Sequence, residues 1–403
     1  METCVFQPAD ILLPADIDMN RWSVIACDQF TSDADYWHQV ETIVGSAPST
    51  LRLMLPEYYL GKCDDAKAAE NIQNTMRSYL SNGVFRKIEH SFVYLERILP
   101  CGKTRRGLIG MVDLEAYDYA PHTSSAIRAT EDTVEDRLPP RVKVRAEAAL
   151  EMPHIMLFFN DNADQIMQLA AELSEETLYD FDLMQGGGHV VGRRIADQKA
   201  DRLANALESM TSETAFQYAV GDGNHSLAAA RKLWLKRRET LDPSARETDP
   251  ARYALVELVN IHDASITFEP IHRVLFHTNP EAFMQAAEKA LFDSDGIKTI
   301  TLIAQGQTKR FPVRGHSIGS VIGNVEAFCQ SFLSEHGGEV DYIHGDDALR
   351  SLASAPDSVG ILLPYMEKEE LFSSVQKTGP FPKKSFSIGL GPDKRYYLEC
   401  RKL

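Results

Sequence analysis

The hexapeptide Gly221-Asp222-Gly223-Asn224-His225-Ser226 stands between an apolar run, Phe216–Val220, and a run of helical character, Leu227–Arg238. The first run reads as a buried strand. In the second, Leu227, Ala230, Leu233 and Leu235 fall toward one side, with Arg231, Lys232, Lys236, Arg237 and Arg238 around them, a spacing of helical period. A tight strand-to-helix turn needs residues that tolerate positive φ, and Gly221 and Gly223 are expected to supply that freedom. Such a turn aims free backbone N–H groups and the positive helix end at one small volume, where an anion can sit. Asp222, Asn224, His225 and Ser226 add an acceptor, an amide, an imidazole and a hydroxyl. The same letters also serve ordinary turn chemistry, with Asp222 or Asn224 as a helix N-cap and His225 exposed. The segment is not a P-loop, since no Gly-Lys-Ser/Thr closes it. It is not a dinucleotide fingerprint either, since the third glycine is missing.

The 403 residues can hold two or three domain-sized units or one large elaborated body. With 44% hydrophobic and 25% charged residues, the composition is that of a soluble globular chain. A net charge of −16 and a pI ≈ 5.2 argue against a general nucleic-acid surface and for a cytoplasmic protein with small ligands. A local basic pocket remains compatible with that balance. Cys4, Cys27, Cys63, Cys101, Cys329 and Cys400 show no paired spacing, which suits reduced thiols and gives no zinc pattern. The opening METCVFQPAD has neither a basic n-region nor an apolar h-region, so no signal peptide is expected. No apolar run approaches the roughly 20 residues of a membrane helix. Neither a nucleic acid nor a membrane is expected as partner, and a homo-oligomer is left open.

Along the chain, Trp22–Cys27 and Leu51–Leu55 are strand candidates, and Ser32 with Asp35 has capping-box spacing for a helix to about Val44. Asp28 therefore sits at a strand-end-to-helix junction, where α/β sheets usually bind ligands. Phe85–Leu99 and Arg106–Leu114 read as a long hairpin, as do Leu178–Met184 and His189–Ile195 around Gly186-Gly187-Gly188. Thr130 and Thr133 offer N-caps to a helix, and Arg137, Arg141 and Arg145 make a basic stripe of the kind that usually faces solvent. Residues 242–249 read as a polar loop. From Asn279 onward helices and strands alternate, giving an α/β rhythm. The chain closes with a cationic loop at Pro380–Phe386 and a strand at Arg395–Arg401.

Four short stretches carry a resemblance: IRATEDT at Ile127–Thr133, GDGNH at Gly221–His225, FEPIHR at Phe268–Arg273 and FPKKSFSIG at Phe381–Gly389. Through them, over about residues 20–403, the chain resembles the bacterial and archaeal family catalogued as domain of unknown function 1015. That family's central turn commonly reads Asp-Gly-His-His-Arg. Here Asp222, Gly223 and His225 match, while Asn224 replaces the first histidine and Ser226 the arginine. The strand-turn-helix is also similar, more remotely, to the ParB-like superfamily, whose members hold nucleotide phosphates at this turn and include free-serine kinases and nucleotide-hydrolysing partition proteins. The implied fold is α/β, with mixed sheets, flanking helices and a ParB-like strand-turn-helix core. Residues 1–278 would form the main body with the turn, and 279–403 a C-terminal α/β region closing the site.

The function this reading implies is a nucleotide-dependent phosphotransferase acting on a small hydroxyl metabolite such as serine, with ATP or ADP and Mg²⁺. Asp28 or Glu131 would accept the hydroxyl proton or hold the metal, and His225 is the other base. Gly221, Gly223, Asn224 and Ser226 would cradle phosphate, with Arg128, Thr130, His272, Arg273, Lys384 and Ser385 around it. A phosphomonoester hydrolase, with water activated by Asp222 or His225, is the first alternative. A non-enzymatic sensor of a nucleotide or metabolite is the second.

Overall fold

Alternating apolar residues in the central strands decide how the molecule is layered. The computed structural model describes residues 4–25, 30, 33–59, 62, 64–135, 138–152, 154–389 and 391–403. It opens with β1 (Phe6–Gln7), β2 (Ala9–Pro14), the single turn α1 (Met19–Trp22), α2 (Ala34–Val44) and α3 (Asp65–Ser81). The long hairpin β3 (Phe85–Ile98) and β4 (Thr104–Asp113) follows. Next come β5 (Tyr117–Asp118), β6 (Ile127–Ala129), α4 (Leu138–Ala146), β7 (Leu150–Glu151), β8 (Met156–Phe159) and α5 (Gln165–Leu173). A second hairpin, β9 (Thr177–Asp182) and β10 (His189–Ala196), leads through α6 (Asp197–Thr211) to β11 (Tyr218–Asp222). Then follow α7 (Asn224–Arg238), α8 (Pro243–Thr248), β12 (Tyr253–Asn260), β13 (Phe268–Phe276) and α9 (Pro280–Leu291). The rest is β14 (Lys298–Ala304), β15 (Gln307–Val313), α10 (Ile318–His336), β16 (Glu339–His344) and α11 (Asp346–Leu352). The chain ends with β17 (Val359–Leu362), α12 (Glu370–Thr378), β18 (Phe386–Ile388) and β19 (Arg401–Lys402).

Among the described residues the strands form a mixed α/β body of two large sheets and one small one. The first runs β5-β6-β11-β8-β12-β4-β3-β10-β9, with β1 on β4 and β2 on β3. The second runs β15-β14-β17-β13-β16, with β18 on β13, and β19 pairs with β7. β11 lies parallel to β6 and antiparallel to β8, and β12 lies parallel to β8. β12 belongs to the first sheet and β13 to the second. The carboxyl-terminal residues return to the first sheet through the Leu12↔Cys400 and Val24↔Tyr397 bridges.

The two sheets share apolar contacts. Met156, Phe158, Ala219 and Val259 point into a cluster with Phe268, Phe283, Leu302 and Phe332 of the second half. Their neighbours Leu157, Phe159, Val220 and Leu258 point the other way, onto Leu203, Leu227 and Trp234 of the helices. A strand buried on both faces reads as one apolar run, which is why β8, β11 and β12 are unbroken in the sequence. Trp234, fully buried, is the main anchor of α7 and lies beside the leucines that the spacing singles out.

Several expected elements differ. Trp22 ends helix α1 instead of opening a strand, because its Nε1–H donates to the Leu398 carbonyl at 2.8 Å and its ring packs on Tyr79 and Phe85. Thr50–Leu53 is a 3₁₀ turn started by the Ser49 hydroxyl, which accepts the Leu51 N–H. Short apolar runs do not distinguish strands from buried turns, and both errors come from that ambiguity. Helix α2 is capped by Asp33, whose carboxylate accepts the Tyr36 N–H; Ser32 lies outside the described residues. Among the described residues no α-helix follows Thr130 directly, since Ile127–Ala129 is a strand and α4 begins at Leu138. Residues 242–249 hold α8, capped by Asp242 with proline in its first turn. Between Arg395 and Arg401 only the last residue belongs to a strand, the rest being held by bridges and side chains. Among the described residues no helix is long and apolar enough to cross a membrane.

Gly221 lies inside β11, where an added Cβ would stand 2.5 Å from Cε2 of Phe158. Gly221→Ala is therefore expected to lower the unfolding free energy by about 1–3 kcal/mol, as overpacking does. Urea denaturation measures it, and an unchanged midpoint would contradict the packing role.

Candidate functional site

The turn is built by one glycine, not two. Gly223 has φ +80° and ψ 22° and is the N-cap of α7, with no side chain capping the helix. The N–H groups of Ser226 and Leu227 fold back onto the Gly223 carbonyl at 3.0 Å each. Gly221 does not take positive φ; its missing side chain makes room for Phe158. The uncapped end of α7 lines a cavity of about 700 Å³.

Side chains from distant segments converge here. Asp222 accepts the Gly223 N–H through Oδ1 at 2.8 Å, and its Oδ2 lies 3.2 Å from the Lys394 ammonium. Burial alone would raise the Asp222 carboxyl, but Lys394, His154 and the Gly223 N–H outweigh it, and its pKa falls below the ordinary carboxylate value. His154 Nε2 lies 3.2 Å from the Ser226 hydroxyl, and its Nδ1 lies 3.0 Å from the Tyr397 hydroxyl. The Val134 N–H donates to His225 Nε2 at 3.2 Å, so that nitrogen keeps its lone pair and the ring proton sits on Nδ1.

The IRATEDT and FPKKS stretches are joined to one another beside this turn. The Phe381 N–H donates to the Thr130 carbonyl at 2.7 Å and the Asp132 N–H to the Phe381 carbonyl at 3.0 Å. The Lys384 N–H donates to the Glu131 carboxylate, and the Thr130 hydroxyl to the Val220 carbonyl at 2.6 Å. Lys384 adopts φ +57°, an uncommon conformation for a side chain with a Cβ. Buried Arg273 holds it from beneath, donating to the Lys384 carbonyl at 2.9 Å while pairing with Glu326 at 3.2 Å.

Thr130, Glu131, Gly221, Asp222, Gly223, Asn224, His225, Ser226 and Lys384 all line the one cavity. Arg128, His272, Arg273 and Ser385 do not belong to its lining, and each is used inside the fold. Arg128 donates to the Ser125 carbonyl at 2.9 Å with its guanidinium over Phe216, and burial lowers its pKa. His272 is held between Asp346 at 2.9 Å and the Leu363 N–H at 3.1 Å; burial pulls its pKa down. The Ser385 hydroxyl, 1% exposed, donates to the Pro382 carbonyl at 2.6 Å. Arg273 touches the cavity-lining residues Ile271 and Lys384 through their backbone carbonyls. Asp28 lies outside the described residues.

The sequence reading missed Lys394, His154 and Tyr397, and it read Arg141 and Arg145 as a solvated stripe; Lys383, part of the expected cationic loop, also lines the cavity. Both arginines, with Lys143, are on α4, which packs on α7, and all three line the cavity. Arg137 lies outside the described residues. The four-residue spacing of arginines was the available signal, but it does not say which way the helix faces. The lining also includes apolar side chains, among them Leu53, Met54, Met76, Val144 and Leu150. Among the described residues no group of three or more His, Cys, Asp or Glu could hold a metal by itself.

The family model described as "Protein of unknown function (DUF1015)" matches residues 11–400, and the chain belongs to that family. No curated protein matches it. Solved structures similar to it include a free serine kinase variant in complex with ADP, at 12% identity and TM-score 0.40, covering 74% of this chain and 94% of that one. SbnI with a C-terminal truncation, from Staphylococcus aureus, is 11% identical with TM-score 0.39, over 70% of this chain and 82% of that one. A conserved hypothetical protein from Pyrococcus furiosus is 12% identical with TM-score 0.34, over 73% and 94%. The remote likeness implied by the turn is thus found, at a level that carries no argument about activity.

The depressed pKa of Asp222 stabilises the folded state above its unfolded value, near about 4, and that contribution is lost as pH falls through the folded value. In Lys394→Met, burial remains while the ammonium is gone, so the Asp222 carboxyl is expected to titrate above its ordinary value. NMR titration of that carboxyl reads the change; a pKa still below the ordinary value would disprove the coupling.

Proposed function

We propose that this member of the family is a phosphate-handling enzyme, a phosphotransferase that moves a phosphoryl group from ATP or ADP to a small hydroxyl metabolite such as serine. The observation that carries the reading is the uncapped amino end of α7 on the cavity, with Lys394 pinned beside it. A helix end of this kind offers backbone N–H groups and the positive end of its dipole to phosphate oxygens. A cavity of about 700 Å³ lies within the range of roughly 300–1,000 Å³ used for small-molecule ligands.

Each residue then has a role set by its place. The backbone at Gly223–His225 receives the transferring phosphoryl group, and Lys394, Lys383 and Lys384 neutralise its charge. The apolar side chains of the lining take the base of the nucleotide. Asn224 Oδ1 is buried without a hydrogen-bond partner, and a hydroxyl or ammonium group of the acceptor would satisfy it. Glu131, fixed by the Lys384 N–H, takes the acceptor's proton. Mg²⁺ needs one or two carboxylates plus phosphate oxygens, and Asp132, which lines the cavity, would supply a carboxylate. When bound, the ion would neutralise charge on the phosphoryl oxygens.

Purified protein is expected to melt at higher temperature with ADP or ATP plus Mg²⁺, and to consume nucleotide when serine or a related hydroxyl compound is added. Lys394→Ala is expected to weaken nucleotide binding about 10- to 100-fold, the loss of one charge-assisted hydrogen bond. Failure of every nucleotide to shift the melting temperature, together with no nucleotide consumed, would sink the proposal. Cleavage of phosphomonoesters without nucleotide would instead favour the hydrolase.

A further inference from the structure

Three side chains in the cavity wall stand in the order nucleophile, base, orienting group. Ser226 is the third residue of α7, at the uncapped end, and lines the cavity. Its hydroxyl lies 3.2 Å from His154 Nε2, and the opposite nitrogen lies 3.0 Å from the Tyr397 oxygen. In the neutral tautomer that carries its proton on Nδ1, that proton goes to the Tyr397 oxygen and Nε2 can accept the Ser226 proton. His225 is less suited to that task, because its Nε2 already accepts the Val134 N–H.

The orienting group is itself held firmly. The Tyr397 N–H donates to the Val24 carbonyl at 2.9 Å. Its neighbour Tyr396 donates to the Met184 carbonyl at 2.7 Å, and Arg395 is buried in ion pairs with Glu257 and Glu399. A hydroxyl within reach of a base that a third group orients is the arrangement of an activated nucleophile.

We infer that Ser226 carries the phosphoryl group covalently during transfer, with His154 as its base and Tyr397 as a positioning residue. The inference rests on the phosphotransferase reading and adds a step to it. Ser226 Oγ attacks the terminal phosphorus of the nucleotide, forming the Oγ–P bond. The bond from that phosphorus to the bridging oxygen breaks, its electron pair leaves with the nucleotide, and the Oγ proton passes to His154 Nε2. In the second step the acceptor oxygen bonds to phosphorus and gives its proton to Glu131. The P–Oγ bond then breaks, and His154 returns its proton to Oγ.

Native protein is to be incubated with Mg²⁺ and ATP or ADP labelled in the terminal phosphoryl group, without acceptor, then quenched in acid and mapped by peptide mass. Label on Ser226, absent in Ser226→Ala, is the expected result. His154→Gln, which can still hydrogen-bond the serine, should slow labelling by about 10²–10⁴-fold. Tyr397→Phe should move the pH profile of labelling, an effect that loss of packing alone does not give. Nucleotide that binds to native protein and leaves no phosphoserine overturns the inference while the phosphotransferase reading stands. Phosphoryl transfer at the native rate by Ser226→Ala does the same. Absence of nucleotide binding to native protein overturns both.

Discussion

Three buried arginines fasten the last segment of the chain to the first sheet, and the site depends on that fastening. Arg97 donates to the carbonyls of Pro392, Lys394 and Gly187 at 2.5, 2.6 and 2.9 Å, and Arg105 to that of Asp393 at 2.8 Å. Arg395 pairs with Glu257 at 3.1 Å and Glu399 at 2.7 Å, all three being almost wholly buried. Burial lowers Arg97 to about 9, and repulsion from Arg105 adds to the effect. Charges in such surroundings persist only where pairing and hydrogen bonds offset desolvation, and losing one partner costs about 3–5 kcal/mol. A guanidinium presents its donors in a rigid fork, so the route of residues 392–394 is fixed more closely than a lysine could fix it. Gly187 belongs to the same device, since a Cβ there would stand 2.3 Å from the Tyr396 hydroxyl.

That fastening delivers Lys394 and Tyr397 to a turn about 170 residues earlier in the chain, and a second one completes the wall from the other sheet. Arg273 is fully buried under the Lys384 loop, and Glu131 grips the same loop by its backbone N–H. The positive φ of Lys384 costs of order 1 kcal/mol or more, which these two contacts offset. Arg273 therefore matters to the cavity as a support for Lys384 and not as a cation within it.

Much of the fold was legible because central strands and their turns follow local rules. The strand, the glycine turn and the helix at 216–238 occur in the expected order, with the strand running on to Asp222 and the helix starting already at Asn224, and both hairpins are present. The family resemblance likewise rests on runs that can be read letter by letter. What escaped was set by packing between distant segments. Trp22 looks like the start of a strand until the Leu398 carbonyl stands opposite its ring N–H. Gly221 and Gly223 look alike in sequence, yet one answers to Phe158 and the other to backbone conformation. A His-Arg pair at 272–273 reads as an anion grip, but β13 is covered on both faces, so the two side chains point opposite ways and both are buried. Lys394 carries no local signal, because its partner is fixed only by the arginines that route its backbone.

The need for Lys394 follows from the composition of the turn. A carboxylate about 4 Å from a bound phosphate, at an effective dielectric of about 20, would cost about 4 kcal/mol, more than a helix dipole returns. Asp222 belongs to the turn, and Gly221–Ser226 contains no lysine or arginine. The ammonium of Lys394 at 3.2 Å cancels this repulsion and leaves the α7 end positive. Distant surface charges matter less: at a Debye length of about 8 Å most of the net −16 is screened from the cavity. On the proposed reading, an acidic chain holds an anion at the α7 end because Lys394, brought from the far end of the chain, offsets the aspartate of the turn.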